Sequence, residues 1–248
     1  VLNHKCKGSI SKIIEKTQQK TVKMNTIDKT TFSFLKDLDK NNNRVWFDTN
    51  KPKFKLINSD VKAFGESLKS GLEATDLISQ VKLFRIYRDV RFSKDKTPYK
   101  THFGISFTRK KPALRGGYYI HLKPGESFIA TGFWDPNKED LFRIRKELEM
   151  DAEEFCQILS NKTLQKAWGR LEGGAVKTAP KGFSKEHPNI QLIRHKQFIF
   201  RHSYSDKEVL HNTFYKDILH RFEAIRPFFD YMSAVLTTDL NGVSLLEN

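Results

Sequence analysis

The chain has 248 residues, 38% of them hydrophobic, so it is long enough and apolar enough to bury a core. Its formal net charge of +15 favours anionic partners, and it holds no uninterrupted apolar run of the roughly 18 residues that a membrane span needs. Two distant cysteines, Cys6 and Cys156, without a CxxC pattern, argue against a disulfide scaffold or a zinc site and predict a cytoplasmic protein with free thiols.

A lysine-rich segment comes first in the chain. Residues 1–23 contain six lysines and one glutamate, with few apolar residues. We expect this segment to be an extension that is disordered or forms a short helix, because it cannot bury enough apolar surface to fold by itself. Residues 24–248 are expected to form a single domain.

Two helices are predicted before the first strand. Segment 31–38 has apolar residues at helical spacing, with Asp28 or Thr30 as its cap. A second apolar stripe runs past Pro52, which starts or kinks that helix, to Leu72.

Alternating apolar and polar residues then predict a run of strands. If the first of them is a strand throughout, Arg85, Tyr87 and Asp89 share one face. Short turns containing Gly or Pro indicate antiparallel hairpins rather than βαβ units. The predicted strands are 82–89, 102–108, 117–122 and 126–134, with a late strand at 195–204.

Helices are predicted again after the fourth strand. They begin near Asp135 and continue over 151–168, and a long loop follows at 174–194. Ser205 and Glu208 form a capping-box pattern before the final helical segment. The order of elements predicts an α+β fold, in which an antiparallel hairpin meander is flanked by N-terminal and C-terminal helices.

Residues 82–111, called the basic stretch below, carry the strongest charge signal. They contain ten Lys or Arg and two Asp, a net charge of +8, interleaved with aromatic residues. A solvated charge run would mix both signs and lack aromatics, so the pattern predicts a folded segment that meets something anionic.

The common catalytic and cofactor motifs are absent. The sequence shows no P-loop, dinucleotide-binding, serine-hydrolase, zinc-protease or deaminase signature. We therefore predict neither a metal nor a cofactor. His102 and His121 lie on adjacent predicted strands and can meet, and a surface or hydrogen-bonded pair is favoured over a metal pair.

Four motifs give a resemblance to a known family. The chain reads N-N-N-R-x-W-F-D from Asn41, R-x-Y-R-D-x-R-F-S-x-D-K-x-P-Y-K from Arg85, G-Y-Y-x-H-L-x-P-G from Gly117 and G-x-W-x-P from Gly132. It resembles the conserved hypothetical proteins of bacteria and fungi that are grouped as domain of unknown function family 2461, over about 31–229. The resemblance implies a domain extent and candidate residues, and no activity comes with it.

The candidate residues must therefore be argued from their chemistry. An arginine fork suits a phosphate or carboxylate, and a phenol beside it can bind the same ligand. Trp134 is a candidate for stacking on a ligand, and His121, Tyr87 and Asp89 are the candidates for catalysis. The candidate ligand-binding residues are Arg85, Tyr87, Arg88, Arg91, Lys94, Lys96, Tyr99, Lys100, His102 and Trp134.

Three functions remain open on the sequence. The first is a binder of an anionic small molecule, with or without enzyme activity, in which Arg85, Tyr87, Arg88, Lys100 and His121 converge in a pocket. Loop 174–194 would close over this site as a lid. The second is a nucleic-acid-binding module with a broad basic face and exposed aromatics. The third is a structural or partner-binding domain, in which Asp89 and Asp95 pair with the arginines and pin the loop to the sheet.

Overall fold

Five antiparallel strands form the sheet at the centre of the fold. They are β1 (Ile78–Leu83), β2 (Phe103–Arg109), β3 (Gly117–Leu122), β4 (Ser127–Phe133) and β5 (Phe198–Tyr204). Each strand pairs with the next one along the chain, from β1 to β5. The structure, a computed structural model, describes residues 25–246, and the extension expected at 1–23 lies outside the described residues.

Nine helices belong to the described residues. They are α1 (Lys29–Lys40), α2 (Arg44–Leu72), α3 (Lys138–Met150), α4 (Glu153–Ser160), α5 (Lys162–Trp168), α6 (Ile190–Ile193), α7 (Asp206–Val209), α8 (Phe214–Ala224) and α9 (Arg226–Thr237). They lie before β1 and after β4 in the sequence, which confirms the α+β prediction. Within residues 25–246, no helix is both long enough and apolar enough to cross a membrane.

One face of the sheet packs against the helices. The ring of Phe103 stacks on Phe54 of α2, with centroids 6.4 Å apart, and Phe107 meets Phe222 of α8 edge-on at 6.4 Å. Phe133 packs against Phe229 of α9 in the same way. Burying each such ring stabilises the fold by roughly 1.5–3 kcal/mol, so the buried face holds the layers together.

The opposite face of the sheet carries small, aromatic and basic residues, and is called the open face below. Strand pairing aligns Gly104 with His121 and Phe128, and Ser106 with Tyr119 and Ala130. Because residues paired across neighbouring strands point to the same side, these residues share one face. Lys82 on β1 and Arg201 on β5 belong to the same face by their pairing with Ser106 and Ala130.

The predicted first strand is wrong over most of its length. β1 begins at Ile78 and ends at Leu83, and after one further hydrogen bond, from Phe84 N to Gly104 O at 2.9 Å, the chain leaves the sheet. Arg85, Tyr87 and Asp89 therefore do not share a strand face. The alternation of apolar and polar residues continues past Leu83 because Ile86 is buried within the loop that follows β1 and not in the sheet.

The predicted lid is placed elsewhere in the fold. Phe183 packs against Phe142 of α3 at 6.0 Å, and Asn189 donates a hydrogen bond to the carbonyl of Leu148 at 2.9 Å. These contacts hold loop 174–194 against α3 rather than over the basic stretch. Phe183 and Ile190 of this loop are buried, so apolar contacts hold the loop in this place.

Two helix boundaries also differ from the sequence prediction. The Ser205–Glu208 capping box is present, but α7 ends after one turn and α8 begins separately at Phe214. In the N-terminal region, α2 is one continuous helix with Pro52 inside it, and Asn43 caps its start by accepting from Trp46 N at 3.0 Å. The helix therefore begins directly after Asn43, and Pro52 lies inside it instead of at its start.

Candidate functional site

The basic stretch consists of the end of β1, a loop at residues 84–102, strand β2 and the two lysines that follow it. The two sides of the loop pair with each other, since Arg88 N donates to Pro98 O at 2.9 Å and Lys100 N donates to Ile86 O at 2.7 Å. Tyr87 and Tyr99 face each other as an antiparallel bridge between these bonds. The loop is therefore an ordered hairpin with its own backbone hydrogen bonds.

The N-N-N motif anchors this loop to the helices. The Asn42 side chain donates to Tyr99 O at 2.9 Å and accepts from Tyr99 N at 3.1 Å. The Tyr99 ring stacks on Phe47 of α2 with centroids 4.0 Å apart, and Tyr87 meets Phe47 edge-on at 5.6 Å. Two motifs 57 residues apart in sequence thus form one structural unit.

Four of the eight charged residues of the loop pair with one another. Arg88 donates to Asp95 and, at 2.5 Å, to Thr97 Oγ1. Arg91 and Asp89 form a two-bond pair with distances of 2.7 and 3.0 Å. These are the contacts that the structural interpretation of the motif predicts.

The pKa values of the two loop carboxylates reflect this pairing. Hydrogen bonds from Arg88 and Thr97 lower the pKa of Asp95 to about 2. Hydrogen bonds from Arg91 lower the pKa of Asp89 in the same direction. Both groups are therefore charged near neutral pH and neutralise their arginine partners. Lys96 in turn donates to the carbonyl of Val90 at 3.0 Å.

A row of rings crosses the open face of the sheet. His102 and His121 stack with centroids 4.2 Å apart, and His121 stacks on Phe128 at 4.7 Å. Tyr119 reaches His121 Nδ1 with its hydroxyl at 3.3 Å and meets Phe84 edge-on at 6.2 Å. These five residues are called the aromatic row below. The sequence prediction that the two histidines can meet is confirmed.

Three cations flank the aromatic row. The ammonium groups of Lys82 and Lys100 lie 5.2 and 5.8 Å from the Phe84 ring, and the Arg201 guanidinium lies 3.9 Å from the Phe128 ring. None of the three has a carboxylate within ion-pair distance among residues 25–246. These three cations therefore form no direct ion pair, and Glu126, which pairs with Lys123, interacts with Arg201 only at longer range.

The two histidines are neutral at physiological pH. Burial lowers the pKa of His102 to about 4, and Lys100 and Lys123 add to the effect. Burial likewise lowers the pKa of His121 to about 4, together with His102, Lys123 and Arg201. Neutral imidazoles offer one donor and one acceptor nitrogen each. The pair can therefore form hydrogen bonds with polar groups of a ligand, while the cations bind its negative charge.

A cavity of about 440 Å³ continues the open face toward the opposite end of the strands. Tyr119 belongs both to its lining and to the aromatic row, whereas Trp134, 66% exposed, lies at the far end. The floor consists of small residues, Gly117, Ala130 and Gly132 among them. Its size falls in the range of small-molecule sites.

The candidate residues from the sequence fall into three groups. Lys100, His102 and His121 lie together at the open face, and Trp134 lies at its other end. Arg85 and Lys94 are exposed and have no ion pair among residues 25–246. The remaining candidates form the loop network, namely Tyr87, Arg88, Asp89, Arg91, Lys96 and Tyr99. The structure does not place the two loop residues Tyr87 and Arg88 in contact with His121, and the individual binding roles stay predictions.

Sequence reasoning missed Phe84, Tyr119, Phe128 and Arg201. The first three could have been found by extending the alternation of the strands, since Tyr119 and His121 are two positions apart on β3. Arg201 could not, because it reaches the site through the pairing of β5 with β4, about 70 residues away in the chain.

A buried charge cluster was also missed. Arg109 is fully buried and donates to Asp76 at 2.7 Å, and Tyr118 donates to the same carboxylate at 2.5 Å. Arg226 of α9 reaches the other Asp76 oxygen at 2.5 Å. Burial raises the pKa of Asp76, but the hydrogen bonds from Arg226 and Tyr118 and the charge of Arg109 outweigh it and lower the pKa. The cluster ties β2 and β3 to α9.

Comparisons with known proteins give one match. The family model for the conserved hypothetical proteins DUF2461 matches residues 30–231. No curated protein matches the chain, and no solved structure does. Since the matched residues cover most of the chain and include the loop motif, the sheet and the open face, the protein belongs to the conserved hypothetical family DUF2461.

Proposed function

We propose that the protein binds an anionic ligand, bearing phosphate or carboxylate groups, on the open face of the sheet. The observation that carries the proposal is the group of three cations without an ion pair among residues 25–246, Lys82, Lys100 and Arg201, around the aromatic row. A cation held over a ring, without a carboxylate, keeps its charge available for a ligand. In the loop, by contrast, Arg88 and Arg91 already bind carboxylates.

The cations would bind the charged group of the ligand, and the histidines would bind polar groups next to it. Lys100 and Arg201 supply the charge, and Arg201 can donate two parallel hydrogen bonds to one anionic group. His102 and His121 supply neutral hydrogen-bonding groups beside them. The adjoining cavity would hold the uncharged part of the ligand. This arrangement supports binding of a ligand that has a charged end and an uncharged end.

Calorimetric titration with inorganic pyrophosphate tests the proposal. Charge-assisted hydrogen bonds contribute about 1.5–3 kcal/mol each, so Arg201→Met and Lys100→Met are each expected to weaken binding by about tenfold or more. Arg85→Met is the matched control, because Arg85 is an exposed arginine of the loop without an ion pair among residues 25–246. It is expected to bind within a factor of about two of the wild type.

The opposite pattern would contradict the proposal. If Arg85→Met abolished binding while Arg201→Met and Lys100→Met did not change it, the anion would bind at the loop. If the wild-type protein showed no binding at low ionic strength, where electrostatic attraction is strongest, the proposal would fail altogether.

A further inference from the structure

The open face offers two separate places to a ligand, the cations around the aromatic row and the exposed ring of Trp134. Phe128 belongs to the aromatic row, and Trp134 follows directly after the end of β4 at the far side of the cavity. They are six positions apart, which at ~3.3 Å per residue is a distance of about 20 Å along the chain. A single ring that carries one phosphate is too short to contact both places.

The cavity end of the face suits a flat ring. Its floor is made of small residues, and Gly117 and Gly132 are aligned across β3 and β4. Trp134 offers an exposed ring at the edge of this floor, and Asp135 and Asn137 add acceptors and a donor for the polar edge of a bound ring. Lys82, Lys100 and Arg201 lie at the other end of the face, whereas the cavity is lined by Lys111 and by Arg115, which pairs with Asp140.

A ligand that uses the whole face needs a ring for the cavity end and negative charge for the cations about 20 Å away. A nucleic-acid single strand has both, and proteins bind such strands with basic grooves in which successive bases stack on aromatic side chains. A duplex keeps its rings inside its own stack and cannot offer them to Trp134. An acidic peptide has the charges without the regular rings.

We infer that the ligand of the open face is a single-stranded nucleic acid, with its phosphates at Lys100 and Arg201 and one base on the cavity floor against Trp134. This inference rests on the proposed function and names the class of ligand for the same site. Tyr119 would then lie between the two ends of the open face and contact the middle of the bound nucleic-acid strand.

Binding of an oligouridylate series of one, two, four and eight nucleotides tests the inference, measured by fluorescence anisotropy or by calorimetry for the shortest members. We expect the affinity to rise at least tenfold between one and four nucleotides and to change little beyond the length of the face. Trp134→Ala is expected to weaken binding of the four-nucleotide strand about tenfold and to leave pyrophosphate binding unchanged. Phe92→Ala is the matched control, because Phe92 is a 96% exposed ring of the loop, outside the open face.

Three results would overturn the inference. One nucleotide could bind as tightly as four, Trp134→Ala could leave strand affinity unchanged, or a duplex of the same length could bind as tightly as the single strand. If pyrophosphate still binds through Lys100 and Arg201 in those cases, the inference alone fails. If neither pyrophosphate nor any strand binds, the proposed function fails with it.

Discussion

At the scale of single residues, the stacked histidines show how the sheet sets protonation. His102 precedes β2 and His121 is near the end of β3, and their half-buried rings lie face to face among cations. A positive charge on either ring would be poorly solvated and close to Lys123. The folded protein therefore holds both rings neutral down to about pH 4, well below the ordinary value of 6.5.

This difference predicts a loss of stability on acidification. Between pH 6.5 and about 4 the unfolded chain binds protons that the folded protein does not, so the free energy of unfolding falls as the pH falls through this window. With allowance for partial solvent screening, the pair accounts for a loss on the order of 2 kcal/mol. Urea denaturation at pH 7.5 and pH 4.5 measures it.

The contribution of the pair is isolated by comparison with variants. His102→Gln combined with His121→Gln is expected to lose less stability than the wild type over the same pH interval, since the titrating groups are gone. His220→Gln, at an exposed position of α8, should behave as the wild type. Equal losses in the wild type and the double variant would show that the histidines do not cause the pH dependence.

The buried arginine predicts a second effect on stability. Replacing Arg109 by Met leaves the buried Asp76 with fewer partners, and removing one member of a buried ion pair costs about 3–5 kcal/mol. Arg85→Met, at an exposed position, should change the free energy of unfolding by less than about 0.5 kcal/mol. Equal denaturation midpoints for the two variants would mean that the cluster contributes nothing net.

At the scale of elements, the contact between β2 and β3 controls the middle of the open face. A Cβ atom at Gly104 would lie 2.6 Å from the Tyr119 hydroxyl and 3.3 Å from the Phe84 ring. The absence of a side chain at this position lets Tyr119 lie across β2 and reach His121. Gly104 therefore shapes the aromatic row without contributing a functional group.

Gly104→Ala is expected to displace Tyr119 and weaken pyrophosphate binding several-fold while the protein stays folded, because the far end of a side chain can move. Adding Tyr119→Phe removes the hydroxyl that clashes, and the double variant should bind like the Tyr119→Phe single variant. Calorimetry on the four proteins as a double-mutant cycle gives the coupling. Purely additive effects would contradict a steric link between the two residues.

The elements also show which parts of the fold the sequence predicts and which it does not. Strands β2 to β4 follow from strict alternation and short turns, and their inward residues Phe103, Ile105 and Phe107 are buried as that pattern requires. The end of β1 could not be read in this way. Ile86 and Tyr99 are buried because Asn42 and Phe47 hold the loop against the helices. Asn42 and Tyr99 are 57 positions apart in the sequence, so no local pattern predicts this contact.

At the scale of the whole molecule, the charge divides between two surfaces. The loop uses Asp89 and Asp95 to neutralise part of the basic stretch, while Lys82, Lys100 and Arg201 at the open face form no ion pair among the described residues. The helices cover one side of the sheet, so the other side is the place where the strands can present side chains to a ligand.

The sequence located the basic stretch and two histidines of this face but not its boundaries. Net charge and motif density do not distinguish a paired cation from an unpaired one, because pairing depends on which strands lie side by side. Arg201 enters the site through the β4–β5 pairing, and Trp134 reaches its cavity by lying just after β4. These placements required the three-dimensional structure.

The most direct test of the central claim is to locate a bound anion. Crystals of the protein soaked in tungstate, a heavy analogue of phosphate, would show its position by anomalous scattering. Binding on the open face predicts a peak in contact with Lys100 or Arg201, beside His102 and His121. A peak confined to Arg85 and Arg91 of the loop, with none on the open face, would contradict the claim.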